Sequence, residues 1–192
     1  MKLVVGLTGK MGCGKSTVAE ILKELGAQVI DVDKIGHEVL KEETVKDRLR
    51  QLFGPEIFCQ GEVDRKKLAK AVFEDEEKLR ILESVVHPVI KDRVLKMIEG
   101  CSNVVVLDAA LLRRIGLAEL CDVIITVKCD EAKIVERLEK KGLSQEEIQR
   151  RLAAQKDIVE EGIVIENNFD LASLRNRVLD IYKRLLEGGV GG

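Results

Sequence analysis

The eight residues Gly9-Lys-Met-Gly-Cys-Gly-Lys15-Ser16 constrain this chain more than any other stretch. They match the pattern G-x-x-x-x-G-K-S/T. They also stand between a short apolar run, Leu3-Val-Val-Gly-Leu-Thr8, and an amphipathic segment over 16–25 with Val18, Ile21, Leu22 and Leu25 on one face. A strand, a glycine-rich turn and a helix in that order make a phosphate cradle. Gly9, Gly12 and Gly14 let the backbone curl until successive N–H groups point inward, and the following helix adds the positive end of its dipole. Gly9, Met11, Gly12, Cys13 and Gly14 are therefore expected to line a nucleotide's phosphates. Lys15 brings a full charge to the β- and γ-phosphates, the Ser16 hydroxyl can ligate Mg²⁺, and Thr17 suits the α-phosphate. The pattern thus implies ATP with Mg²⁺.

Apolar runs like the first recur at 28–31, 104–108, 122–127 and 163–165, with helical patterns between them. Gly26 is placed as a stop for the first helix. Asp130, Ser144 (with Glu147 three residues on) and Asp170 are placed to cap later helices. Strands alternating with helices predict an α/β fold of the P-loop NTPase type: three layers around a five-stranded parallel sheet, with right-handed crossovers. The interval 35–100 is mainly helical and shows no convincing strand, although Gly54-Pro55 and Gln60-Gly61 read as turns. We expect one domain with a core of 1–34 and 101–192, a helical substrate-binding insertion over 35–100, and a lid over about 137–155. The glycine-rich tail from Gly188 is expected to fray.

Composition excludes several classes. The net charge of −2, from 32 basic and 34 acidic residues, asks for neither nucleic acid nor an anionic membrane, so phosphate recognition must be local. No apolar stretch is long enough to span a membrane, and the N-terminus runs straight into a β-like segment, so the expected location is cytoplasmic. The five cysteines form no C-x-x-C pair and have no histidine at metal-ligand spacing, which argues against a zinc site or a disulfide framework. A monomer or weak homo-oligomer is expected.

Two acidic elements accompany the cradle. Val104-Val-Val-Leu-Asp108 is a hydrophobic strand ending in an acid, the form of a Walker B element that holds the metal directly or through water. The second run ends Ile30-Asp31-Val32-Asp33. Alternation along an extended chain would put Asp31 and Asp33 on one face at the carboxyl edge, where open α/β sheets bind ligands. One carboxylate can orient and deprotonate an acceptor hydroxyl while the other helps hold the metal, or Asp33 can simply cap a helix.

Taken together, these motifs resemble the dephospho-CoA kinase family over nearly the whole chain. Val5 to Thr17 is similar to the family's opening, and Val29-Ile-Asp-Val-Asp33 to its second-strand D-x-D element. Asp64-Arg-Lys-Lys-Leu68 with Val72-Phe73 and His87-Pro-Val-Ile90 resemble its helical insertion, and Arg151-Leu-Ala-Ala-Gln155 and Val164-Ile-Glu-Asn-Asn168 its late motifs. The resemblance implies transfer of the ATP γ-phosphoryl group to the ribose 3′-hydroxyl of dephospho-CoA, the last step of coenzyme A synthesis. It implies that Asp33 engages the acceptor hydroxyl with Asp31 beside it, that Arg65 and His87 lie on the substrate side, and that residues 137–151 form a mobile lid. Arg137, Lys140, Lys141 and Arg151 are its basic candidates; Lys140-Lys-Gly142 stands where the family often has arginine followed by Asn or Asp. His87 precedes Pro88, which suits the first turn of a helix. Ala109-Ala-Leu-Leu-Arg-Arg114 departs from the family's Pro-Leu-Leu-Phe-Glu-like stretch, though Leu111 and Leu112 match, and Leu111 with Asp108 is assigned to the substrate pocket. Asn167 and Asn168 follow the fifth strand, where an amide can read an adenine edge or shape a turn; Asn168 is carried as the nucleotide contact.

Within the same class, the other reading is a nucleoside monophosphate or other P-loop metabolite kinase. The D-x-D element and the His-Pro favour the first, because monophosphate kinases place arginines there. A nucleotide-gated switch ATPase would keep the loop and Asp108 but has no need of a 65-residue helical insertion.

Overall fold

In a computed structural model describing residues 2–73, 75–156 and 158–188, the expected apolar runs all form strands. The chain opens with β1 (Leu3–Thr8), α1 (Lys15–Glu24) and β2 (Gln28–Asp31). It continues through α2 (Val32–Val39), α3 (Glu43–Phe53), the two-residue strands β3 (Phe58–Cys59) and β4 (Glu62–Val63), α4 (Arg65–Phe73) and α5 (Glu76–Glu99). It closes with β5 (Val104–Asp108), β6 (Val123–Lys128), α6 (Glu131–Lys140), α7 (Gln145–Ala153), β7 (Ile163–Glu166) and α8 (Leu171–Leu186). Residues Gly189–Gly192 of the tail lie outside the described residues. The chain divides into two compact units, one running to Asp31 and resuming at Gly100, the other Val32–Glu99.

The first unit holds a parallel sheet ordered β2-β5-β1-β6-β7. β1 and β5 are central and buried almost throughout, so they read as unbroken apolar runs rather than alternating ones. α1 packs against α8, and their stripes (Val18, Ile21 and Leu22; Leu174, Val178 and Ile181) close one core with Val5 and Val106 of the sheet. Two expected caps form: Ser144 accepts from the Glu147 N–H at 3.3 Å and Asp170 from the Ser173 N–H at 2.8 Å.

The Ser173 N–H bond holds the Asp170 carboxyl below its ordinary value. A lowered folded pKa means that the cap stabilises the protein above the unfolded value and stops doing so as the pH falls through the folded one. Asp170→Ala should therefore lower the melting temperature at neutral pH, and the gap to the parent should close below about pH 4.

In the second unit, α2, α3 and α4 pack on α5 through Ile35, Val39, Leu49, Leu68, Ile90 and Val94. Three sequence expectations change here. The interval does contain strands: Gln60 and Gly61 both take positive φ (52° and 81°), the turn that closes the β3–β4 hairpin. Pro88 is not in a first turn but inside the 24-residue α5, because Val86, Ile90 and Val94 on either side of it are buried and hold the helix through the missing hydrogen bond. Finally, the chain is not extended from Asp31 to Asp33. Val32, Ile35 and Val39 recur at helical spacing and are all buried, so α2 begins at Val32 and Asp33 lies in its first turn.

Candidate active site

The carboxyl edge of the sheet is assembled by register. Leu7 and Asp31 both pair with Asp108, and Thr8 pairs with Thr126, so the last residues of β2, β5 and β1 stand side by side where the glycine loop begins. The loop bends as its glycines require: Gly9, Gly12 and Gly14 have φ of 152°, 81° and 94°. At Gly14 a side chain is excluded twice over, since a Cβ would also collide with the Asn167 amide nitrogen. Lys15 opens α1, and its ammonium is ion-paired with Asp108, the side chains being 15% and 12% exposed. With so little water between them, charges here act more strongly than at a surface.

The loop is braced by residues far away in sequence. Gln155 accepts a hydrogen bond from the Met11 N–H at 2.9 Å, and buried Asn167 donates its amide to the Cys13 carbonyl at 2.7 Å. Arg137 donates to the carbonyls of Gly12 (3.2 Å), Cys13 (3.4 Å) and Asn167 (3.0 Å). Arg137 thus ties down the loop's carbonyls, while the Met11 N–H is held by Gln155 and the Cys13 N–H by the Lys10 carbonyl at 3.2 Å. A fork serving three carbonyls has no lysine equivalent. Arg137→Ala should raise KM for ATP about tenfold and lower the melting temperature, since each abandoned carbonyl costs about 1 kcal/mol or more, and Arg137→Lys should recover little of either. Unchanged ATP kinetics in Arg137→Ala would show that the loop keeps its shape without the brace.

The other basic candidates are placed differently. Lys140 pairs with Glu136 at 2.5 Å and Arg151 with Glu147, both exposed pairs within one helix turn. Such pairs are weak and cheap to break when a stronger anion arrives. Asn168 is engaged by its own fold: its carbonyl oxygen accepts from the Asp130 N–H at 2.8 Å and its amide donates to the Asp130 carboxylate at 3.1 Å. That exchange secures the start of α6 and accounts for the turn reading of Asn168. Leu111 lines a shallow cleft at the carboxyl edge with Thr8, Leu112, Arg114 and Val159, where Arg113 forks onto Glu161 with Nε at 2.9 Å from each carboxylate oxygen. Asp33, Arg65 (first residue of α4) and His87 (middle of α5) belong to the second unit. Among the described residues, no cluster of three or more His, Cys, Asp or Glu side chains forms a ready-made metal cage.

Gln155, Asn167 and Arg137 serve the loop through contacts that sequence reasoning did not assign to them. The signal for Asn167 was its position directly after a strand at the carboxyl edge. Cys13 is likewise held by structure: burial, then the neighbouring Cys129, pushes its thiol up to about 12. Buried and held protonated, Cys13 should stay unalkylated by iodoacetamide in native protein while exposed Cys59 reacts.

Nothing in this site is a strong nucleophile. It joins a glycine loop of positive φ and a lysine to carboxylates at the same sheet edge, and that is the equipment of phosphoryl transfer. The class so defined is a P-loop kinase. The family model described as dephospho-CoA kinase matches residues 3–172, and the chain belongs to that family. It is 37% identical over 189 residues to the dephospho-CoA kinase of Aquifex aeolicus, a match covering 94% of this chain and 96% of that protein. The crystal structure of TT1252 from Thermus thermophilus superposes with a TM-score of 0.83 at 31% identity, covering 96% of this chain and 98% of the other. The dephospho-CoA kinase from Campylobacter jejuni follows with a TM-score of 0.71 at 26% identity, covering 98% and 100%. No described helix is long and apolar enough to cross a membrane.

Proposed function

We propose that this chain transfers the γ-phosphoryl group of ATP to the ribose 3′-hydroxyl of dephospho-CoA, completing coenzyme A. The observation that carries the reading is the register placing Asp31 and Asp108 side by side at the sheet edge, with Lys15 ion-paired to Asp108. The loop N–H groups and Lys15 bind the ATP phosphates and neutralise charge that spreads over the γ-phosphoryl oxygens. Asp33 follows Asp31 by two residues along the chain and is the carboxylate we assign to the acceptor hydroxyl, orienting it and taking its proton. Arg65 and His87 are assigned to the acceptor as well.

The donor set fits Mg²⁺, a hard cation that takes oxygen ligands: the Ser16 hydroxyl and the Asp108 carboxylate would hold it, with Asp31 beside them. Held there, the ion would supply positive charge against the phosphates. We assign the segment 137–155 to a lid that excludes water. Lys140 and Arg151 can leave their exposed carboxylate partners at little cost to meet the transferring group.

Acceptor choice tests the reading. With Mg-ATP, kcat/KM for dephospho-CoA should exceed that for AMP, CMP or UMP by about 100-fold or more, because the acceptor pocket is built around a hydroxyl rather than a terminal phosphate. A nucleoside monophosphate phosphorylated in preference would overturn it.

A further inference from the structure

Two of the five cysteines meet at the phosphate loop. Cys13 is the loop's central residue, 2% exposed, and Cys129 follows β6 on the neighbouring strand. The neighbouring Cys129 thiol favours the protonated form of the Cys13 thiol. The Cys129 sulfur also faces the Gly12 carbonyl at 4.0 Å, and a single Arg137 nitrogen reaches the Cys13 carbonyl at 3.4 Å and the Cys129 sulfur at 3.5 Å. The other cysteines are placed elsewhere: Cys59 in the second unit, Cys101 before β5, and Cys121 bonded to the Leu117 carbonyl at 3.3 Å.

We propose that Cys13 and Cys129 close a reversible disulfide that pulls the phosphate loop out of its nucleotide-binding shape, so that a low-molecular-weight disulfide switches the kinase off. Cys129, the more accessible partner, attacks the small disulfide as its thiolate, forming one S–S bond and releasing one small thiol. Cys13 then loses its proton and attacks the Cys129 sulfur, releasing the second small thiol and leaving Cys13–Cys129. Two protein thiols are oxidised and one small disulfide is reduced to two thiols. The second step is intramolecular between neighbouring residues, which offsets the scarcity of the buried Cys13 thiolate.

The consequence for the loop follows from geometry. A covalent S–S bond is shorter than any thiol–thiol contact, so closing it draws the loop toward β6. Cys13 stands between Gly12 and Gly14, whose positive φ values (81° and 94°) set the direction of the N–H groups, and a shift there turns them away from the phosphates. That this inactivates the enzyme rests on the phosphoryl-transfer reading above; the cross-link and the loss of nucleotide binding do not involve the acceptor.

The test is incubation of the native protein with oxidised glutathione, followed by non-reducing tryptic digestion and mass spectrometry. Binding of a fluorescent ATP analogue and ADP-forming turnover are read in parallel. We expect Met11–Lys15 joined to Cys129–Lys133 at two hydrogens below their summed mass. Nucleotide binding should be lost, turnover should fall about 100-fold, and dithiothreitol should restore both. Cys129→Ser should keep the same activity with and without oxidised glutathione. No cross-linked peptide, a cross-link that leaves nucleotide binding intact, or equal inactivation of Cys129→Ser would each overturn the proposal.

Discussion

Lys15→Ala is expected to lower kcat/KM for ATP-dependent turnover by about a thousandfold or more. Lys15 is the cation we assign to the β- and γ-phosphates, and it lies in a setting where little water screens it. Removing it takes away charge stabilisation that grows as the phosphoryl group is transferred, so kcat should fall as well as ATP affinity. The same substitution deprives the Asp108 carboxylate, 12% exposed, of the ammonium. Lys15→Arg keeps a positive charge and so separates folding from catalysis. It should retain most of the parent's melting temperature yet remain strongly impaired, because a planar fork does not fit where a compact charge is required. Near-parental kcat/KM in either variant would remove Lys15 from the reaction.

Asp33→Asn is expected to cost several orders of magnitude in kcat while leaving the affinity for ATP little changed. The amide is nearly isosteric with the carboxylate, so the first turn of α2 is retained, but it cannot accept the acceptor's proton. Asp31→Asn should behave differently: adjacent to Asp108 in the sheet, it should act through the ATP-bound metal and change the Mg²⁺ dependence. The contrast separates an acceptor-facing carboxylate from a metal-side one. Nearly intact kcat in Asp33→Asn would refute the assignment of Asp33.

Central elements were the most legible from sequence. Strands buried on both faces in a parallel sheet give continuous apolar runs, and β1, β5 and β6 were found almost to the residue. The cradle was legible because its chemistry is local: the glycines, Lys15 and Ser16 all fall within the eight residues 9–16. The same is true of the Asp170 and Ser144 caps, whose partners lie three residues on. What the sequence did not show were contacts distant in it: the partners of Arg137, Gly12 and Cys13, are more than 120 residues away, and Asn168 meets Asp130 across 38 residues. Local signals also competed. The D-x-D element suggested extended chain, while the burial of Val32, Ile35 and Val39 made it the start of a helix. Pro88 suggested a helix start that the apolar face of α5 overrides. The β3–β4 hairpin escaped because two residues per strand are too few to show alternation, although Gln60-Gly61 marked its turn.

Acceptor-dependent phosphoryl transfer is tested by ADP release from Mg-ATP measured with and without dephospho-CoA, with the product weighed by mass spectrometry. ADP release should require dephospho-CoA and yield a product of coenzyme A's mass. ADP formed at the same rate without the acceptor, or no turnover with it, would mean that the chain does not phosphorylate dephospho-CoA.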